Sequence, residues 1–176
     1  MKALKILLFL PAILLLSFIS NAQSGNEFVS RRALLFADSI TAAVYAANWD
    51  ACVSLSYPGV VKYYGGIQRF HHHLLRTRNA ESIHEEVPTT ELVQLSANKK
   101  EWQCVVRKSA AAVVDGKKAM VLSYMIGQSQ DEGRSWKYFD VAINSADNRI
   151  IMPDLFDHLS VPQREVWYEE NLARTP

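Results

Sequence analysis

Residues 101–129 read EWQCVVRKSAAAVVDGKKAMVLSYMIGQS, and this stretch decides the fold. At its centre lies Asp115-Gly116, a dipeptide typical of the two-residue type I′ turn, in which both central residues need positive φ. On either side the apolar residues follow the two-residue period of a β-strand. The stretch therefore predicts an antiparallel hairpin of two long strands, Glu101–Val114 and Lys117–Ser129.

The same period extends on both sides of this hairpin. Downstream, Asp131-Glu132-Gly133 predicts a turn that leads into a last long strand, Arg134–Ile143. Upstream, we expect strands at Ser82–Glu86, which Pro88 ends, and at Thr89–Ser96. The sequence thus predicts an antiparallel meander of four or more strands.

The residues before Glu81 follow the helical period instead. A helix is predicted over Glu27–Asn48, and one of its faces is apolar, with Ala33, Ala37, Ile40, Val44 and Ala47. A short helical piece at Ala51–Leu55 should end at Tyr57-Pro58-Gly59, and a further helix should cover Ile67–Arg78. After the meander we expect a loop at 145–149, one helical turn at 153–159 and a C-terminal helix over 163–172. Helices that precede strands in this way predict an α+β fold, with the N-terminal helices packed in the curved sheet.

The first 22 residues have the layout of a cleavable signal peptide. Lys2 and Lys5 precede an apolar run of about 14 residues, which is short for a membrane span of ~20, and Ser20-Asn21-Ala22 offers a small-x-small cleavage site. We therefore expect a periplasmic or secreted protein with one domain over 23–176 and no stable membrane anchor after cleavage. An uncleaved anchor is the alternative.

Charge and composition argue against several classes of partner. Without Lys2 and Lys5 the chain has 17 basic and 18 acidic residues, a formal charge of −1. Nucleic-acid binding needs a basic surface, so no nucleic-acid partner is expected. The motifs GxSxG, GxGxxG and the P-loop do not occur in the sequence, and no cofactor is expected.

Cys52 and Cys104 are the two cysteines of the chain. Export would permit a disulfide between them. The alternative is a pair of buried thiols that behave as small apolar side chains.

Two segments resemble the nuclear transport factor 2-like (NTF2-like) superfamily, which includes ketosteroid-isomerase and SnoaL-like branches. Asp131-Glu132-Gly133-Arg134-Ser135-Trp136-Lys137-Tyr138 is similar to the acidic-glycine turn and Trp-bearing strand near the end of such domains. Tyr57-Pro58-Gly59-Val60-Val61 with Gly65-Gly66 is similar to segments of small exported members. The resemblance covers about Phe28 to Ile143 and implies a cone-shaped fold with a pocket between sheet and helices. It implies no single activity, because this fold carries many functions.

Aromatic residues are the candidates to line such a pocket. Tyr and Trp side chains can orient a small ligand in an otherwise apolar cavity. We expect a ligand-binding set of Tyr45, Tyr64, Trp102, Tyr124, Trp136 and Tyr138.

Asp140 is the candidate catalytic carboxylate. On the last strand it should share a face with Trp136 and Tyr138, where an apolar pocket would raise its pKa. Tyr138 and His71 are the further catalytic candidates. The alternative is an Asp140 that lies at a solvated strand end or pairs with an arginine.

His71-His72-His73 is the most conspicuous short motif. Three consecutive helical residues point about 100° apart and cannot face one metal ion, and no HxxH or HxxxH pair is present. No metal site is therefore expected.

These patterns predict an exported domain that binds a small apolar or amphipathic molecule, or acts as a scaffold, without catalysis. One alternative is an isomerase- or dehydratase-type enzyme that uses Asp140. The other is an interaction module that forms a homodimer through its open sheet face, which requires an exposed apolar patch.

Overall fold

The computed structural model describes residues 26–80, 83–84, 87–99, 101–142 and 144–169. The predicted signal peptide, residues 1–22, lies outside this part. The described chain is α+β, with helices N-terminal to an antiparallel sheet that curls strongly, like half of a barrel. The predicted fold class is thereby confirmed at this level.

In the described part of the chain, four helices precede the first strand, and a fifth lies between the last two strands. They are α1 (26–45), α2 (Trp49–Leu55), α3 (Pro58–Tyr63), α4 (Ile67–Ala80) and α5 (Ser145–Ile151). The strands are β1 (Ile83–His84), β2 (Thr89–Asn98), β3 (Glu101–Val114), β4 (Lys117–Ser129), β5 (Lys137–Asp140) and β6 (Glu165–Tyr168).

The hairpin of β3 and β4 is the centre of the sheet. Its bounds are those predicted, and both Asp115 (φ 52°) and Gly116 (φ 75°) have the positive φ of a type I′ turn. Two strands, β1 and β2, pair with different parts of β3 along its free edge. In the same way β5 and β6 pair with different parts of β4 along the other edge of the hairpin. Six strands thus form a sheet that is four strands wide within the described residues.

Each face of this sheet contributes to an apolar core. Alternate residues of the central hairpin belong to two different apolar clusters. One cluster packs against α1 and includes Cys104, Val106 and Met125, which lie against Val29, Ala33, Ala37 and Ile40 of the helix. The other lies on the opposite face and joins Val105, Tyr124 and Ile126 to Val60 of α3, Phe70 of α4 and Ile151 of α5. We call these the α1-side core and the far-side core.

The turn before β5 is held by a single carboxylate. Asp131 accepts hydrogen bonds from the hydroxyl groups of Ser129 (2.8 Å) and Ser135 (2.7 Å) and from the backbone N–H groups of Arg134 (3.1 Å) and Ser135 (2.9 Å). Burial alone would raise its pKa, but these four donors outweigh it and lower the pKa to about 2. Residues 134–136 belong to this turn, so β5 starts later than the predicted Arg134.

Three segments differ from the predictions. Pro58 and Gly59 were expected to break a helix, but Pro58 begins α3, where its missing N–H costs nothing. The predicted loop at 145–149 is α5, because the side chain of Asn144 accepts from the N–H of Ala146 and caps the helix. The predicted C-terminal helix is wrong over Glu165–Tyr168, which pairs with β4 as β6.

Candidate functional site

Trp136 and Tyr138 lie in the α1-side core, and both are fully buried. The Tyr138 hydroxyl donates to the carbonyl oxygen of Ala33 in α1 at 2.7 Å, and it lies 3.6 Å from the sulfur of Cys104. Burial raises the pKa of Tyr138 well above its usual value. The Trp136 indole N–H donates to the carbonyl oxygen of Gly133 at 3.1 Å. Their polar groups are therefore bonded within the protein.

The other four aromatic candidates are distributed around the molecule. Tyr124 is buried in the far-side core, and Tyr64 packs against that core and stacks on His73, with ring centroids 3.9 Å apart. Trp102 packs at the edge of the α1-side core. Tyr45 is exposed near the end of α1. The six predicted ligand-binding residues thus lie on both sides of the sheet and do not line one pocket.

Asp140 lies at the surface. Its side chain is 62% exposed and forms an ion pair with Lys108 of β3. The acid–base hypothesis needs a buried carboxylate within reach of a Tyr or His, and this geometry does not provide one at Asp140. It matches the alternative of a carboxylate at a solvated strand end, although the partner is a lysine and not an arginine.

The three consecutive histidines have three different environments. His71 lies beside Trp49, with ring centroids 5.5 Å apart, His72 is exposed, and His73 stacks on Tyr64. Burial, with a contribution from Arg76, lowers the pKa of His73. Within the described residues, no group of three or more His, Cys, Asp or Glu side chains is placed to hold a metal ion.

Cys52 and Cys104 are free, buried thiols in the structure. Burial raises the pKa of Cys52 to about 11 and that of Cys104 to about 12. Both are therefore protonated at neutral pH, which is the condition of an unreactive thiol.

Two open clefts lie elsewhere on the surface. The first, which we call the glycine cleft, has a volume of about 580 Å³ and lies where α3 leads into α4. Its lining combines Gly65 and Gly66 with the cations Lys62 and Arg69 and the apolar side chains Pro58, Val61 and Ile67. None of the six aromatic candidates lines it.

The glycine cleft owes its shape to positive φ angles at Gly65 (83°) and Gly66 (107°). These angles are accessible to glycine at little cost. The Arg69 side chain folds back over the first glycine, since a Cβ on Gly65 would lie 3.1 Å from both Cδ and Nη1 of Arg69. The sequence pattern predicted a helix from Ile67, directly after these glycines, but it did not indicate a cleft.

The second, the hairpin-end cleft, has a volume of about 620 Å³ and lies where the β2–β3 turn meets residues 153–158. Beneath it the buried Gln103 side chain donates to the Asp154 carbonyl oxygen (2.8 Å) and accepts from the Phe156 N–H (2.9 Å). At its side the Ser96 hydroxyl is hydrogen-bonded to Nε2 of His158. Sequence reasoning missed this pair, because 62 positions separate its members and neither lies in a local motif.

Comparisons of the chain with protein-family models, with curated proteins and with solved structures gave no match. Over the part of the chain that the structure describes, no helix has the length and apolar character needed to cross a membrane.

Proposed function

We propose that this chain is an exported binding domain that takes a small amphipathic anion into the glycine cleft. The observation that carries this proposal is the lining of the cleft, where two cations stand beside an apolar wall. The order of helices before a curled antiparallel sheet supports an NTF2-like family for it. The signal-peptide layout of residues 1–22 supports its export to the periplasm or beyond.

The charge of the ligand follows from the cations. Lys62 and Arg69 both line the cleft, and the first turn of α4 adds the partial positive charge of a helix N-terminus. A carboxylate, sulfate or phosphate group is stabilised by such an arrangement, whereas a cation is repelled. Because the cleft is open, we expect salt to weaken this attraction.

The apolar part of the ligand follows from the apolar side chains of the same lining. Ile67 is 61% exposed, and Pro58 and Val61 also line the cleft. A ligand that covers Ile67 removes apolar surface from water, worth about 25 cal/mol per Å². An alkyl or aromatic group next to the anion meets this requirement.

Calorimetric titration with laurate at low ionic strength tests the proposal. Laurate should bind, and dodecyltrimethylammonium, which has the same tail and the opposite charge, should not. In the K62Q/R69Q variant the Kd for laurate should rise about tenfold, because two exposed ion pairs contribute about 1 kcal/mol or less each. Ile67→Ser should also weaken binding.

The matched control is K118Q/R164Q, which removes two exposed cations that lie outside the lining of the cleft. It should bind laurate as the unmodified protein does. The glycine cleft is not the binding site if laurate binds with the same affinity to the unmodified protein, to K62Q/R69Q and to K118Q/R164Q. Equal binding of laurate and dodecyltrimethylammonium would lead to the same conclusion.

A second function, homodimerisation, is favoured by one row of side chains. Met120 of β4 is paired with Ala111 of β3 and with Trp167 of β6, and all three are exposed. Such a row, on the sheet face opposite α1, is the apolar surface that a symmetric dimer would bury. Sedimentation velocity should then show a dimer that Trp167→Glu dissociates and Leu35→Glu, an exposed apolar position on α1, does not. A monomer at all concentrations would exclude this function.

A further inference from the structure

Ser96 and His158 bring a hydroxyl nucleophile and a base together at the hairpin-end cleft. The Ser96 Oγ is hydrogen-bonded to His158 Nε2, and His158 lines the cleft. With Nε2 as acceptor, the imidazole is positioned to take the serine proton as the oxygen attacks a carbonyl carbon. This is the contact that activates serine nucleophiles in general.

The pair is held in place from several directions. Gln94, two positions before Ser96 on β2, donates to the carbonyl oxygen of His158 at 3.1 Å and accepts from the N–H of Ser160 at 2.9 Å. The His158 ring stacks on Phe156, with ring centroids 5.5 Å apart at 23°. The loop that carries the histidine is thus fixed to the strand that carries the serine.

Phe156 is itself anchored below the cleft. Its backbone N–H donates to the side chain of the buried Gln103, which lies directly opposite Ser96 on β3. The strand, the loop and the amide beneath them therefore form one hydrogen-bonded unit. Preorganisation of this kind reduces the reorganisation needed to bring nucleophile and base together.

We propose that Ser96 and His158 form a nucleophilic dyad that accepts an acyl group from small esters at the edge of the hairpin-end cleft, which His158 lines. In the first step Ser96 Oγ forms a bond to the acyl carbon and its proton passes to His158 Nε2; the ester C–O bond then breaks, and the leaving oxygen takes that proton from His158 and departs as the alcohol. In the second step water gives a proton to His158 Nε2 as its oxygen attacks the acyl carbon; the bond between that carbon and Ser96 Oγ breaks, the acid leaves, and the proton passes from His158 to Ser96. The site is separate from the glycine cleft, so neither proposal depends on the other.

The test uses p-nitrophenyl acetate at neutral pH, with release of p-nitrophenolate and peptide mass spectrometry as readouts. The unmodified protein should carry an acetyl group on Ser96. Ser96→Ala should lose that adduct, and His158→Gln should slow its formation about a hundredfold, the lower range for a general base. Ser39→Ala, at an exposed serine of α1, should leave both readouts unchanged.

Mapping of the adduct on the unmodified protein keeps the test independent of how well any variant folds. Acetyl groups found on lysines alone would overturn the proposal, and so would a Ser96 adduct that forms at the same rate in His158→Gln. A loss of thermal stability in Ser96→Ala with no change in acylation would show a purely structural hydrogen bond, which also overturns it.

Discussion

The hydroxyl group of Tyr138 donates a 2.7 Å hydrogen bond to the carbonyl oxygen of Ala33, 105 positions earlier in the chain. Both residues are fully buried, so the bond lies in an apolar environment and connects α1 to β5. Ala33 has the smallest side chain that a helix favours, and this allows the helix to approach the tyrosine ring. A residue predicted to contact a ligand thus connects two layers of the fold.

Tyr138→Phe should lower the free energy of unfolding by about 1–2 kcal/mol, because it removes one buried hydrogen bond and little packing. Urea denaturation monitored by circular dichroism measures this. Tyr63→Phe is the matched control, since it deletes the same atom from an exposed 3.1 Å bond to Asp147 and should lower the free energy of unfolding much less. Equal losses in the two variants would contradict the structural role of Tyr138.

Gly127→Ala should destabilise the protein by about 1–3 kcal/mol or more, because the Tyr138 ring lies against the backbone there. An added Cβ would be 2.3 Å from Cε1 of Tyr138 and 2.8 Å from Sγ of Cys104. The loss should be smaller in a Tyr138→Leu background, since the two sites are in contact. Additive losses in a double-mutant cycle would exclude the contact.

Stability should decrease as the pH falls from about 4 towards 2. The pKa of Asp131 is about 2 in the folded protein and about 3.9 in an unfolded chain, so its contribution is complete above the unfolded value and is lost as the pH falls through the folded one. Asp131→Asn should lower the free energy of unfolding by about 1 kcal/mol at pH 7, since solvent screens this exposed group. It should also flatten the acid limb, by which we mean the decrease in stability between about pH 4 and pH 2.

The control for that experiment is Asp115→Asn in the hairpin turn, where Asn-Gly suits a type I′ turn as well as Asp-Gly does. It should retain the acid limb of the unmodified protein. An Asp131→Asn variant with an unchanged acid limb would show that the Asp131 carboxylate is not the group responsible.

Both cysteines should resist a thiol reagent such as Ellman's reagent at pH 8 in the native state. Burial raises the pKa of Cys52 to about 11 and that of Cys104 to about 12, and the thiolate is the reactive form. In guanidinium both thiols should react. Fast reaction of the native protein, or a failure of both to react after unfolding, would contradict free buried thiols.

Several features of the fold could be predicted because their signals are local. Asp115-Gly116 specifies its turn through backbone angles, and the two-residue period on either side specifies the strands. Asn144, the residue that caps α5, is an equally local signal, because it lies directly before the helix. A helix could therefore have been predicted there, although the segment was predicted as a loop. The strand β6 was not readable in this way, because its pairing with β4 depends on residues more than 40 positions away.

The candidate site could not be predicted in the same way. Periodicity correctly places Trp136 and Tyr138 on one face of a strand, but it does not indicate whether a helix, a cavity or solvent covers that face. Here α1 fills the space, and Tyr124 belongs to the opposite layer. Asp140 is two positions after the buried Tyr138, so the two-residue period places it on the same face of β5. It is nevertheless exposed, because it lies at the end of the strand beside Lys108.

By itself the sequence determined the α+β class, the central hairpin with its turn, and the apolar face of α1, because each depends on neighbours within a few positions. The tertiary structure alone decided which layer covers each face of the sheet and which distant side chains meet. Ser96 and His158 come together because β2 and the loop at 153–160 pack side by side. Contacts of this range depend on the packing of whole elements, and no short pattern encodes them.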